Sequence, residues 1–131
     1  MMRSRDHAKL LEDAIAYTMA RYEPNRHHVI CVLATGRKLY RASHLDTSGG
    51  LDVCAEPIAL SNAISEGDED FVSLISVAWD GNDDTEPWVI TPCGNCRQIL
   101  SEYAPNLRVI IDGDTLETAT IAELLPYPYS K

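Results

Sequence analysis

The chain has 131 residues, 45% of them apolar, which suits one continuous core and a single domain over 1–131. Its 20 acidic against 11 basic residues leave a formal charge of -9, which repels a phosphate backbone and counts against polynucleotide substrates. No apolar run approaches the roughly 18 to 20 residues of a membrane span, and Met1 to His7 lacks the apolar centre of a secretion signal, so a cytoplasmic protein is expected.

Apolar groups at Leu10, Leu11, Ala14, Ile15, Thr18, Met19 and Tyr22 recur at helical spacing until Pro24, predicting an amphipathic helix over 10–22. The unbroken run Val29 to Ala34 predicts a strand buried on both faces, and Thr35-Gly36-Arg37 turns it into a second strand, Lys38 to Ala42. A polar loop through Gly49-Gly50 leads to Cys54, after which Ile58, Ala59, Ala63 and Ile64 predict a second helix stopped at Gly67. Phe71 to Trp79 reads as a strand. An acidic loop, Asp80 to Glu86, then precedes a short strand Trp88 to Thr91 and a third helix closed by Pro105. Leu107 to Ile111 is the next strand, and Asp112-Gly113-Asp114 is a turn. Thr120 with Glu123 forms a capping-box pattern that opens a short last helix before Pro126. Strands alternating with helices predict an α/β domain, a sheet of about five strands between helical layers, and the opening hairpin makes that sheet mixed.

Chemistry concentrates in Cys54-Ala55-Glu56 and Pro92-Cys93-Gly94-Asn95-Cys96-Arg97-Gln98, both at predicted helix starts. A Cys-x-x-Cys pair on the first turn of a helix can put both sulfurs on one tetrahedral ion. A third thiolate from another helix leaves the fourth position for water, the arrangement of a catalytic zinc site. Helix N-termini favour ionised thiolates and offset part of their charge. Glu56, two residues after Cys54, is placed to move protons beside the metal without binding it.

A Cys or His two positions before Glu, followed by Pro-Cys-x-x-Cys, is the zinc deaminase signature. With these motifs, Ser65-Glu66-Gly67-Asp68 and the ending Glu123-Leu124-Leu125-Pro126, nearly the whole chain resembles the small homotetrameric cytidine deaminases and the related blasticidin S deaminases. The resemblance implies a three-layer α/β/α fold, one Zn2+ per subunit on Cys54, Cys93 and Cys96, and Glu56 as the catalytic proton shuttle. It implies a pyrimidine nucleoside as substrate, converted to the uridine form plus ammonia in pyrimidine salvage. By the same resemblance the Ala55 amide is expected to hold the ring carbonyl and the Thr91 carbonyl to accept from the leaving amino group. It further implies a homotetramer with active sites near subunit interfaces, where Tyr129 enters a neighbour's pocket.

The chain departs from the cytidine deaminase pattern around the sugar. Positions that carry Asn-x-Glu in that family become His44 and Asp46, and an aromatic residue at the start of the first strand becomes His27, with His28 as the other register. Pro57 stands where an arginine follows the glutamate, an absence shared with the blasticidin deaminases, and the loop Thr47 to Gly50 is similar to theirs. A modified cytosine nucleoside is therefore the alternative substrate, and a zinc-holding nucleoside-binding module without turnover the alternative of another class. Blander readings of the same residues are a redox Cys-x-x-Cys pair, Cys31 as the fourth ligand of a structural zinc, a surface ion pair for Arg97, and a frayed tail at Tyr129.

Overall fold

Along β1 (Val29–Thr35) successive side chains leave on opposite sides, so Ile30, Val32 and Ala34 enter one core while Cys31 and Leu33 enter another. A computed structural model describes residues 4–130. Helix α1 (Ser4–Arg21) covers the first core with Leu10 and Ala14, against Ile75 and Val77 of β3 (Phe71–Ala78). It starts before the apolar periodicity predicts, because its first turns are polar and leave no hydrophobic signature. Thr18, fully buried on this helix, returns its hydroxyl to the Ala14 carbonyl at 2.6 Å, satisfying a polar group that has no water.

Helices α2 (Ala55–Ser65) and α3 (Gly94–Tyr103) cover the opposite face. Ala59, Leu60 and Ala63 of α2 and Leu100 of α3 pack on Cys31, Leu33, Leu74 and Val109. Two cores separated by one sheet make the predicted α/β/α layering.

The sheet has the order β2-β1-β3-β5-β6, with β2 (Leu39–Ser43), β5 (Arg108–Ile110) and β6 (Thr118–Thr120). β1 runs antiparallel to both β2 and β3, β3 runs parallel to β5, and the sheet is mixed as the hairpin requires. β4 (Trp88–Ile90) pairs antiparallel with Ser76 to Ala78, on the stretch of β3 beyond the Ser73–Leu74 pairing with β5. Six strands stand where about five are expected. The addition is β6, which the Asp112 turn folds back onto β5. The capping box forms: Thr120 Oγ1 accepts from the Glu123 amide at 3.1 Å and the Glu123 carboxylate from the Thr120 amide at 2.9 Å, opening α4 (Ile121–Leu124).

Gly67, at φ 76°, ends α2 in the left-handed region and delivers Asp68 into the molecule. The Asp68 carboxylate, 1% exposed, accepts from the hydroxyls of Thr35 and Tyr40 and so ties the β1–β2 hairpin to the end of α2. Burial, and next the bond to Asp68, push the Tyr40 phenol up to about 12.

Candidate active site

Cys54 and Cys93 occupy the N-cap positions of α2 and α3, each with extended backbone and no capping hydrogen bond from its side chain. Their sulfurs are thus left to face one another at 3.9 Å. Cys96, on the first turn of α3 and fully buried, brings its sulfur 3.4 Å from that of Cys93. All three sulfurs lie within 4.8 Å of one another. Tetrahedral sulfurs at about 2.3 Å from one zinc stand about 3.8 Å apart, so the set fits that ion. Cys31 is a buried residue of the α2–α3 core and lies outside the cluster, which leaves three thiolates for the metal, the count of a catalytic site.

Burial raises the Cys93 thiol, but the amides of Cys96 and Asn95 and the neighbouring thiols outweigh it and hold the group below its ordinary value. Burial raises Cys54 and pushes Cys96 far up, with the Glu56 charge adding to both. Arg97 takes no carboxylate: its guanidinium donates to the carbonyls of Pro92 at 2.8 Å and Leu124 at 3.0 Å and to Thr91 Oγ1 at 3.3 Å, fixing the segment before Cys93 to the last helix.

Glu56 points inward from the first turn of α2 and is 4% exposed. Burial raises its carboxyl, against the pull of its own amide and of Ser76, whose hydroxyl donates to Glu56 Oε2 at 3.1 Å. A buried carboxylate with a raised pKa has the properties of a group that both takes and gives a proton.

A cavity of about 260 Å³ opens over these groups. Cys54, Ala55, Glu56, Thr91 and Cys93 line one part, and His28, Val29, His44, Asp46, Asp52 and Val53 contribute to the rest. Of the residues that the sequence marks for substrate, Ala55, Thr91, His44 and Asp46 meet here. His28 lines the cavity where His27 is the expectation. Asn25 at φ 63° and the Glu23–His27 bridge set that register, and His27 instead places Nδ1 3.1 Å from the His44 carbonyl. Tyr129 lies outside the cavity, 76% exposed, its backbone hydrogen-bonded to the Gln98 side chain. Ser76 and Asp52 belong to the site without having been read from the sequence. Ser76 had a signal, a hydroxyl residue on the Leu74 side of a strand that is otherwise apolar there.

His44 is 7% exposed. The Val29 amide donates to its Nδ1 at 3.1 Å, and its Nε2 is buried without a partner. Burial holds its pKa below the ordinary value. Asp46 and Asp52 stand close enough to interact, which lowers the Asp46 carboxyl and raises that of Asp52.

A search of known families matches residues 4–111 to the cytidine and deoxycytidylate deaminase zinc-binding region. Blasticidin-S deaminase of Bacillus cereus is 35% identical over 133 residues, covering 98% of this chain and 95% of that protein. Cytidine deaminase of Halalkalibacterium halodurans is 33% identical over 128 residues, covering 92% of each. The crystal structure of cytidine deaminase from Mycobacterium leprae superposes with a TM-score of 0.73 at 25% identity, over 96% of this chain and all of that one. The Bacillus anthracis enzyme superposes at 0.75 and 21% identity, over 93% of this chain and 89% of its own, a likeness of fold. Three sulfurs spaced for zinc, a buried glutamate beside them and a match of this extent place the chain in the cytidine and deoxycytidylate deaminase family, hydrolases that act on carbon–nitrogen bonds.

Proposed function

We propose that the chain hydrolyses the exocyclic amine of a cytosine nucleoside, giving the uridine form and ammonia. The observation that carries this reading is that Glu56, Cys54 and Cys93 line one cavity. When bound to Cys54, Cys93 and Cys96, zinc supplies a Lewis acid that makes water nucleophilic near neutral pH. Glu56 takes the two protons of that water in turn, delivering one to the ring nitrogen and the other to the amino group, which leaves as ammonia as the carbonyl forms. The Ala55 amide, at the free N-terminal end of α2, donates to the ring carbonyl, and the Thr91 carbonyl accepts from the departing amino group.

At the sugar end, His44 and Asp46 offer a complementary pair. With Nδ1 accepting from Val29, the neutral His44 ring carries its proton on Nε2, and Asp46 accepts. One hydroxyl group can take the hydrogen bond from His44 and give its own to Asp46. Assembly as a homotetramer, with Tyr129 reaching a neighbour's cavity, is part of the same proposal. It is supported by the exposure of Leu45, Leu51, Val53 and Tyr129. Light scattering reports the mass of the assembly.

A second substrate, a blasticidin-type modified cytosine nucleoside, is favoured by the Bacillus cereus relative, by Pro57 and by the replaced sugar contacts. The deciding experiment measures ammonia release by the zinc-loaded protein on cytidine, deoxycytidine and blasticidin S. Turnover of the unmodified nucleosides at the higher kcat/KM supports the first reading. Preference for blasticidin S transfers the assignment to the second, and no ammonia from any of the three overturns both.

A further inference from the structure

His28, His44 and Asp46 each place a potential ligand atom within 4.8 Å of the other two, a group separate from the three cysteines. The imidazoles of His28 and His44 stand edge to face, their centroids 4.3 Å apart. Two imidazoles and one carboxylate are a donor set that suits zinc, nickel and other divalent first-row ions. Around such an ion at about 2.1 Å, neighbouring donors stand roughly 3 to 4 Å apart, so a small side-chain rotation closes the set.

A second observation points to a ligand at the same place. His44 is 93% buried, and its Nε2 has no hydrogen-bond partner. An imidazole nitrogen withdrawn from water in this way gains most from a ligand that replaces the lost hydration. The other ring nitrogen, Nδ1, lies 3.2 Å from the Val29 carbonyl. With the proton on Nδ1, that atom exchanges its bond from the Val29 amide for one to the Val29 carbonyl and Nε2 carries a lone pair, the support that metal-bound histidines receive. Asp46 contributes negative charge, and Asp52 stands beside it.

We propose that His28, His44 and Asp46 form a second binding site for a divalent transition-metal ion, inside the substrate cavity. The two tautomers of His44 then serve two ligands: Nε2–H meets a hydroxyl, and the bare Nε2 meets the ion. Sugar and ion exclude one another, and zinc above the amount held by the cysteines acts as an inhibitor. The ion site stands independently of which nucleoside the enzyme prefers.

The test titrates zinc chloride into protein that already carries one zinc per chain by elemental analysis, with calorimetry as the readout. A further equivalent of zinc per chain is expected for the native protein and for the surface control His7→Ala. His44→Ala and Asp46→Asn should each weaken this binding at least tenfold while the cysteine-held zinc stays in place. Asp46→Asn leaves the His44–Val29 bond intact, so a folding defect in His44→Ala does not decide the outcome. Absence of the further equivalent in native protein, or its persistence at native strength in Asp46→Asn, overturns the proposal.

Discussion

Ser76 Oγ donates to Glu56 Oε2 at 3.1 Å, which ties one oxygen of the buried carboxylate to the central strand β3. A hydrogen bond to a charged group contributes about 1.5–3 kcal/mol. Ser76→Ala frees the carboxylate to rotate, and kcat should fall about tenfold or more with KM little changed and zinc content intact. Ser76→Cys, a weaker donor of similar size, should lie between the two. Equal kcat in all three proteins would show that the bond does not position Glu56.

Glu56→Gln keeps the size of the side chain and removes its capacity to exchange a proton. General acid–base catalysis contributes about 100- to 10,000-fold, so turnover should fall at least that far while elemental analysis finds zinc unchanged. Retained activity would move the proton transfer to another group.

Removal of the metal should abolish turnover and lower the thermal midpoint, and added zinc should restore both. At free zinc about a thousandfold above its dissociation constant, linkage gives the folded protein about 4 kcal/mol, a shift readily seen in a melting scan. A midpoint unaffected by chelation would mean that the cysteines hold no ion in the folded state.

Asp68 makes stability depend on acid. Burial pushes its carboxyl up, but the hydroxyls of Thr35 and Tyr40, the Asp70 amide and the Arg37 charge outweigh burial and hold it below the ordinary value. A carboxylate lowered by folding contributes stability that is fully present above its unfolded pKa, about 3.9, and is lost as pH falls through the lower folded value. Urea midpoints at neutral pH and near pH 3 should therefore differ less for Asp68→Asn than for the native chain, and the variant should be the less stable of the two at neutral pH.

Long apolar runs made most of the architecture readable. Val29 to Ala34 and Phe71 to Trp79 announce the two central strands, and Pro24, Gly67 and Pro105 mark where helices stop. β6 escaped because Thr118-Ala119-Thr120 is too short to show an alternation, and its pairing with β5 is a tertiary fact. The zinc cluster was legible because its spacing is local to two helix starts. The other end of the cavity was not: the choice of His28 over His27 depends on a turn at Asn25, and the Asp46–Asp52 pair depends on how a loop closes at the Leu45–Val53 bridge. Such contacts follow from backbone register, which composition does not encode.

Cys54 opens α2 and Cys93 opens α3, and both helices lie on one side of the sheet, opposite α1. An ion gripped by both acts as a rivet through that side alone. Stripping it should loosen the molecule lopsidedly: amide hydrogens of residues 55–65 and 94–103 should exchange with deuterium faster, while those of residues 10–21 keep their pace.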